Sequence, residues 1–174
     1  MKIYKTFETE RLFLRPTSIE DSQFIFDLLN SPKWIKYIGQ RNINSPKEAE
    51  NYIKVKMIPQ LEKMGFSNYT VIRKEDQQKM GTCGLYNRKG IDGVDIGFAF
   101  LPDYEKKVYA YEAAFQIKQA AFEDFGLKKL NAITIKENLS SRKLIEKLGL
   151  TFVQNIRIPG DEEELMLYVI EAKK

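Results

Sequence analysis

The apolar residues of the chain recur with two different periods, and the changes between these periods predict the order of its strands and helices. Alternating apolar and polar residues predict a strand at Arg11–Arg15, and apolar runs bounded by turn residues predict six more. These six are predicted at 67–76, 78–87, 94–102, 128–136, 151–158 and 164–172. A polar turn from Glu75 to Gln78 and the segment PGDEE each join two neighbouring strands, so both pairs are predicted as hairpins.

Helical spacing of apolar residues predicts two helices in the first half of the chain. The first follows Ser18, an N-cap residue with Asp21 as its partner in a partial capping box, and it stops near the segment NSP. The second spans 45–65, where Pro59 predicts a kink or an early end. The segment between them, 33–44, is predicted as a loop or an irregular segment.

Two further helices are predicted in the second half. The longer one covers Tyr109–Phe125 and carries a stripe of alanines, which implies close packing on a sheet, and the shorter one covers 142–148. The strand–helix–strand unit from Val94 to Ile135 predicts two parallel strands side by side. The whole order therefore predicts one mixed α/β domain over residues 1–174, with a largely antiparallel sheet.

The composition limits the chemistry that the chain can perform. It contains no histidine, which excludes histidine-based triads and argues against a transition-metal site, so we expect no metal. Any proton transfer must use carboxylates, tyrosine, lysine, serine or water. The net charge of +4 is small and scattered, which argues against nucleic acid as a partner but favours an anionic cofactor.

The sequence also predicts a cytoplasmic protein with no membrane partner. No apolar run approaches the roughly 18 residues that cross a bilayer, and the N-terminus lacks the apolar core of a signal peptide. The lone cysteine, Cys83, has no disulfide partner within the chain, and its apolar surroundings predict a buried, inert thiol.

A strand-to-helix junction at 103–114, DYEKKVYAYEAA, predicts a site for a phosphate. The first backbone N–H groups of a helix are unsatisfied donors at its positive end, so such junctions commonly bind anions. Phosphate-binding loops usually contain glycine, which lets the backbone approach the ligand closely. This loop has two lysines and a valine instead.

Three segments, taken in order, resemble one enzyme family. TERLFLRPTSIED lies near the start, VDIGFAFLPDY precedes the lysine-containing loop, and NLSSRKLIEKLGL combines Asn–x–x–Ser with a helix and a glycine. Together they resemble the GNAT superfamily of acetyl-CoA-dependent N-acetyltransferases, and more narrowly its branch of ribosomal-protein alanine N-acetyltransferases. The resemblance covers nearly the whole chain. It implies the GNAT fold, acetyl-CoA as cosubstrate, an amine acceptor and a homodimer through the C-terminal strands or the long helices.

The resemblance also implies where acetyl-CoA binds. Its pantetheine arm would follow the backbone of the strand before the loop, its pyrophosphate would lie on the loop amides, and its thioester would lie near Asn138 and Ser141. The implied cofactor-binding residues are Phe98, Ala99, Phe100, Leu101, Glu105, Lys106, Lys107, Val108, Tyr109, Ala110, Asn138 and Ser141. Trp34 and Tyr37 are expected to contact the acceptor.

Acetyl transfer to an amine needs a base, a donor for the tetrahedral oxyanion and an acid for the leaving thiolate. The resemblance places Ser141 as the acid, with the alternative that Ser140 or Ser141 only caps the helix 142–148. It places Asp95 as the base, directly or through water, with the alternative of a solvated strand charge. Glu112 matches the family pattern too, and its position near a helix start favours a stabilising role at the helix dipole.

The loop departs from the family pattern Gln/Arg–x–x–Gly–x–Gly/Ala. The corresponding residues are Glu105, Val108 and Ala110, of which only Ala110 fits. Glu105 would bring a negative charge toward the pyrophosphate, and a positive φ at the β-branched Val108 would be strained. The leading hypothesis is an N-acetyltransferase that acts on a primary amine. The alternative is a binding or regulatory module with the same fold and a degenerate cofactor loop.

The sequence leaves the identity of the acceptor open between a protein N-terminus, a polyamine, an amino sugar and an antibiotic. The acidic segment PGDEEE would attract a cationic amine, and the alternative is an ordinary solvated turn.

Overall fold

One eight-stranded sheet organises the chain, with strand order β1-β2-β3-β4-β5-β6-β8-β7. The computed structural model describes all of residues 1–174. The strands are β1 Phe7–Glu8, β2 Leu12–Pro16, β3 Asn68–Arg73, β4 Lys79–Asn87, β5 Val94–Phe100, β6 Lys129–Thr134, β7 Thr151–Ile156 and β8 Leu165–Glu171. The predicted mixed α/β class and both predicted hairpins are confirmed, because β3 pairs with β4 and β7 pairs with β8 in antiparallel register.

Six helices flank the sheet, and they differ from the prediction in three places, one of which is the earlier start of α6. They are α1 Ser22–Leu29, α2 Pro32–Tyr37, α3 Pro46–Tyr52, α4 Ile58–Met64, α5 Tyr109–Glu123 and α6 Leu139–Lys147. The prediction of a loop at 33–44 is wrong at its start, because Pro32 in the first turn pre-sets the backbone for α2. The predicted helix at 45–65 is interrupted by a π-helical turn, Ile53–Met57, and Pro59 lies in the first turn of α4. None of the helices combines the length and the apolarity that a transmembrane segment needs.

The parallel pair predicted around the alanine-rich helix is formed by β5 and β6. The two strands share a single registered pair, Asp95 with Asn131, whereas all other neighbours in the sheet are antiparallel. Beyond this pair the strands diverge, so the edge of β5 from Ile96 to Phe100 has no strand partner on that side. Backbone N–H and C=O groups at such an edge need another partner, and this requirement defines a place for a ligand.

Two apolar clusters hold the helices on the sheet. In the larger cluster, α5 packs on the sheet through the buried alanines Ala113, Ala114, Ala120 and Ala121, whose small side chains allow close approach. The smaller cluster joins α1 and α3 and includes six buried residues. Ala99 and Leu101 of the β5 segment pack against it. Each fully buried leucine or isoleucine contributes about 1.5–3 kcal/mol to these clusters.

A buried carboxylate fixes the start of α1. Asp21 is 0% exposed and accepts hydrogen bonds from both terminal nitrogens of Arg15, each at 2.8 Å, and lies 2.7 Å from Lys79 Nζ. The N–H of Ser18 and the hydroxyl of Thr70 also donate to it, each at 3.0 Å, which completes the predicted capping box. Burial alone would raise the pKa of Asp21, but the hydrogen bonds from the two cations outweigh it and lower this pKa to about 2.

Cys83 lies in the interior of β4 and is 0% exposed. Burial raises the pKa of its thiol well above the ordinary value. The prediction of a buried thiol is confirmed, and a thiol in this environment is a poor nucleophile.

Candidate functional site

Two cavities meet where β5 diverges from β6. The first, which we call the loop groove, has a volume of about 260 Å³ and lies against the segment Tyr104–Val108 and the start of α5. The second, which we call the strand cavity, has a volume of about 470 Å³ and lies between the π-helical turn, β4, β5 and β6. The residues that line both cavities, which we call the throat, are Trp34, Tyr37, Ile38, Phe98, Ala99, Asn138 and Ser141.

Most of the residues expected to bind the cofactor line the loop groove. They are Phe98, Ala99, Phe100, Glu105, Lys106, Val108, Ala110, Asn138 and Ser141. The other three, Leu101, Lys107 and Tyr109, do not line the loop groove. Leu101 packs against the cluster of α1 and α3, and Lys107 is exposed away from the groove. Tyr109 points into the core, where its ring lies 4.3 Å from the Arg11 guanidinium carbon.

The lysine-containing loop enters α5 through a left-handed backbone. Lys106 has φ 59° and Val108 has φ 66°, a conformation that costs a non-glycine residue about 1–2 kcal/mol. The strain expected for a positive φ at Val108 is therefore present, and the side chain avoids a clash by remaining 58% exposed. No side chain caps the N-terminus of α5. The first N–H groups of this 15-residue helix are therefore available to an anion at the end of the loop groove.

The charge on Glu105 is balanced by a residue that the sequence did not indicate. Lys33, in the first turn of α2, lies 2.5 Å from a carboxylate oxygen of Glu105, and both residues line the loop groove. Glu105 therefore does not present an uncompensated negative charge to the groove. Lys106 lines the same groove, so its charged side chains sum to a net positive charge.

The structure corrects the assignment of the helix cap at the throat. The N-cap of α6 is Asn138, whose Oδ1 accepts the backbone N–H of Ser141 at 3.2 Å and the hydroxyl of Ser140 at 3.3 Å. The alternative in which Ser140 or Ser141 caps the helix is wrong, because the helix begins at Leu139, before either serine. The Ser141 hydroxyl makes no hydrogen bond to another residue, and it lines both cavities.

Asp95 lies at the start of β5 and lines the strand cavity. The alternative of a solvated strand charge is wrong, because Asp95 is 0% exposed and both its oxygens accept from Arg88 Nε, at 2.9 and 3.0 Å. Burial raises the pKa of Asp95 to about 6, and the Arg88 charge only partly opposes this rise. Arg88 also stacks over the ring of Tyr86 at 4.8 Å, and the Tyr86 hydroxyl donates to Asn68.

The expected acceptor residues lie on a helix. Trp34 and Tyr37 belong to α2 and form part of the throat, and the indole N–H of Trp34 is buried without a hydrogen-bond partner. Most buried donors have a partner, so this donor is an unusual feature of the throat. Sequence reasoning missed Lys33, because its role depends on α2 turning toward the loop. It also missed Arg88, whose pairing with Asp95 follows from the register of β4 on β5.

Glu112 has a structural role away from both cavities. Its carboxylate accepts from the Thr9 hydroxyl at 2.6 Å, from the Arg11 backbone N–H at 3.0 Å and from Arg11 Nε at 2.7 Å. Burial would raise its pKa, but these hydrogen bonds outweigh burial and lower it. Glu112 therefore stabilises the fold mainly by binding the segment before β2, through its hydrogen bonds and its salt bridge with Arg11. The structure brings together no group of three histidine, cysteine, aspartate or glutamate residues that could hold a metal ion.

Comparisons with known proteins agree with the fold. Residues 11–151 match the family model described as the acetyltransferase (GNAT) domain. The chain is 24% identical over 152 residues to the uncharacterized N-acetyltransferase YoaA of Bacillus subtilis, which covers 84% of this chain and 83% of that protein.

Two solved structures share the fold at lower identity. An acetyltransferase from Agrobacterium tumefaciens superimposes with a TM-score of 0.82 at 22% identity, over 99% of this chain and 97% of that chain. A ribosomal-protein-S5-alanine acetyltransferase from Vibrio fischeri superimposes with a TM-score of 0.80 at 18% identity, over 96% of each chain. The family model covers most of the chain and includes β5, the lysine-containing loop and α6. The chain therefore belongs to the GNAT acetyltransferase family, and it is an acetyl-CoA-dependent acetyltransferase.

Proposed function

We propose that the chain transfers the acetyl group of acetyl-CoA to a primary amine by direct attack within a ternary complex. The observation that carries this proposal is the meeting of the loop groove and the strand cavity at one throat. A cofactor that enters from the loop groove and an acceptor that enters from the strand cavity would bring their reacting atoms together there. Holding both reactants in one complex supplies much of the rate enhancement through proximity and orientation.

The loop groove has the donors that acetyl-CoA requires. The uncapped N–H groups of α5 suit the pyrophosphate, and the side chains of Lys33 and Lys106 add positive charge. The free edge of β5 from Phe98 to Phe100 suits the amides of the pantetheine arm, which would pair with it as an added strand. This arrangement leads the thioester toward the throat, where Phe98, Asn138 and Ser141 lie.

Two residues of this chain have the properties that proton transfer requires. We assign Asp95 as the base, acting through water, because a pKa of about 6 lies close to neutral pH, where a general base is most effective. The amine nitrogen forms a bond to the thioester carbonyl carbon and loses its proton toward Asp95. The carbon–sulfur bond then breaks, and Ser141, whose hydroxyl is unpaired, gives a proton to the thiolate as its oxygen takes one from water. The proton held by Asp95 returns to solvent, so both residues end in their starting states.

The proposal extends to the branch of the family, the acceptor, the cellular location and the oligomeric state. The segment TERLFLRPTSIED and the likeness to the Vibrio fischeri enzyme support placement in the branch of ribosomal-protein alanine N-acetyltransferases. The acceptor amine is then a protein N-terminus or a small molecule. We also propose a cytoplasmic location and a homodimer.

The experiment that tests the proposal measures binding and turnover separately. Isothermal calorimetry with acetyl-CoA, and with desulfo-CoA as a control, measures whether the loop groove holds the cofactor. A thiol-release assay with a panel of amines then measures transfer. We expect micromolar binding, and we expect Ser141→Ala to lower kcat by about 100-fold. Ser140→Ala is the matched control, because Ser140 lines the loop groove but not the throat.

Absence of binding up to millimolar acetyl-CoA would contradict the proposal and favour the regulatory module with a degenerate loop. In that case the loop itself can be tested. The double substitution of Glu105→Arg with Val108→Gly restores the family pattern and should then restore binding, whereas unchanged binding would exclude the loop as the cause.

A further inference from the structure

The walls of the strand cavity carry five charged side chains, and their pairing is uneven. They are Arg41, Lys56, Arg88, Asp95 and Asp161. Arg88 and Asp95 neutralise each other through the contacts at 2.9 and 3.0 Å. The carboxylate of Asp161 accepts the backbone N–H of Glu163 at 3.0 Å within the turn between β7 and β8.

Arg41 and Lys56 differ from the other charged residues of the cavity. Neither makes a salt bridge, a hydrogen bond or a cation–π contact with another residue of the chain. Lys54, two residues before Lys56, is paired with Glu50 at 2.5 Å and does not line the cavity. The cavity therefore receives the one lysine of this turn that has no partner.

The position of Lys56 depends on the π-helical turn Ile53–Met57. Tyr52, Lys56, Met57 and Gln60 all line the strand cavity, so this face of the interrupted helix forms one wall. Single π turns inside helices occur frequently at functional sites, because the extra residue shifts which side chains share a face. Arg41 lines the same cavity from the segment after α2.

Two unpaired cations in a concave, partly apolar cavity select the charge of a ligand. A polyamine would place ammonium groups beside Arg41 and Lys56, and like charges repel. An oxyanion would form charge-assisted hydrogen bonds with the same two residues. A positive field near the throat also lowers the pKa of an incoming ammonium, and only the neutral amine can attack the thioester.

We propose that the acceptor is an amine that also carries an oxyanion, either a carboxylate or a phosphate, and that Arg41 and Lys56 bind this group. This inference rests on the proposed transfer of acetyl to an amine. It narrows the acceptor class, and it excludes polyamines and neutral amino sugars as preferred acceptors. Asp161, in the acidic segment PGDEEE, offsets only one of the two unpaired cations, so the five charged side chains of the cavity still sum to +1.

The test compares matched amines that differ in the anionic group. Glucosamine 6-phosphate is compared with glucosamine, and 4-aminobutyrate with 4-aminobutyramide, with spermidine as the cationic case. The thiol-release assay gives kcat/KM for each amine. The single tryptophan of the chain, Trp34, lies in the throat, so its fluorescence reports binding of the same amines without acetyl-CoA. The readout therefore does not depend on turnover.

We expect at least one anionic amine to be preferred over its neutral partner by about 10-fold or more, in kcat/KM or in affinity. The pair that shows the preference identifies the phosphate or the carboxylate as the group. Arg41→Gln with Lys56→Gln should bring the ratio close to one. Lys63→Gln is the matched control, because Lys63 is an exposed lysine of α4 that does not line the cavity.

Three outcomes would overturn the inference. They are equal use of both members of each pair, a preference for spermidine, and a preference for the anionic amine that survives the double substitution. Failure of acetyl-CoA binding in calorimetry would instead contradict the proposed function, and the fluorescence titration would still decide the inference.

Discussion

Asp21 and Asp95 are both 0% exposed, yet their surroundings push their pKa values in opposite directions. Asp21 accepts hydrogen bonds from Arg15, Ser18 and Thr70 and contacts Lys79, and its pKa falls to about 2. Asp95 has one cationic partner, Arg88, and its pKa rises to about 6. Burial raises the pKa of both carboxylates and hydrogen-bond donors lower it, so the balance between the two decides whether a buried carboxylate is a permanent anion or a titratable group.

The two carboxylates also differ in where they lie. Asp21 fixes the start of α1 on the sheet and does not line either cavity, whereas Asp95 lines the strand cavity. We infer that Asp21 serves stability and that Asp95 serves chemistry.

Asp21→Asn should lower the free energy of unfolding by about 3 kcal/mol, because it removes the anion between two cations in a buried site. Urea unfolding measures the loss. Asp76→Asn is the control, because Asp76 also pairs with an arginine but is 39% exposed in the β3–β4 turn, and its loss should be much smaller. Equal losses for the two variants would mean that burial of Asp21 has no energetic consequence.

Asp95→Asn should lower kcat by about 100-fold, because it removes the proposed base. Steady-state kinetics measures the effect, and the urea midpoint should change less than in Asp21→Asn. A variant that retains wild-type kcat, or that loses stability as severely as Asp21→Asn, would place Asp95 among the structural residues.

The pH dependence of stability should show opposite contributions from the two carboxylates. The folded pKa of Asp21 is below the ordinary value of 3.8, so its contribution is present above about pH 4 and is lost as the pH falls toward 2. The folded pKa of Asp95 is above 3.8, so its contribution is present below about pH 4 and is lost as the pH rises through 6.

Each contribution should amount to roughly 3 kcal/mol, because each shift is close to two pH units and one unit corresponds to about 1.4 kcal/mol. Urea unfolding of the wild type and both asparagine variants between pH 2 and pH 7 separates the two windows. If both variants change the free energy of unfolding over the same pH range, the two carboxylates do not act in separate pH windows.

Arg88→Gln should move the acidic midpoint of the pH–rate profile upward by about one pH unit, because it removes the only cation that opposes the effect of burial on Asp95. The profile of kcat against pH measures the shift, and Lys63→Gln controls for the loss of one positive charge at a distance. A downward or absent shift would show that Asp95 does not set the profile.

Local patterns predicted much of the fold because they reflect local energetics. The alanine stripe of α5 predicted close packing, and α5 carries four buried alanines against the sheet. The capping box predicted around Ser18 formed with Asp21, because it needs only residues three positions apart. The helix α2 was missed, because its six residues are too few for a clear periodic signal and its stability comes from packing.

The candidate site was predictable only in part, because some of its residues belong to one local motif and others meet only in the folded chain. Asn138 and Ser141 belong to one local motif, so their neighbourhood followed from the sequence, although the cap was assigned to the wrong residue. The partners that set the charges come from distant segments. Lys33 reaches Glu105 across 72 positions, and Arg88 meets Asp95 only in the register of two strands.

Residue types and their spacing were enough to predict most of the elements, the mixed α/β class, the absence of histidine chemistry and the family of the chain. These properties depend on residue types at short spacing, and such patterns are already present in the unfolded chain. Three features are visible only in the folded chain: Glu105 is neutralised, Asp95 is buried, and Arg41 and Lys56 line a cavity without partners. Charge pairing and burial depend on distances between segments far apart along the chain, and packing alone sets those distances.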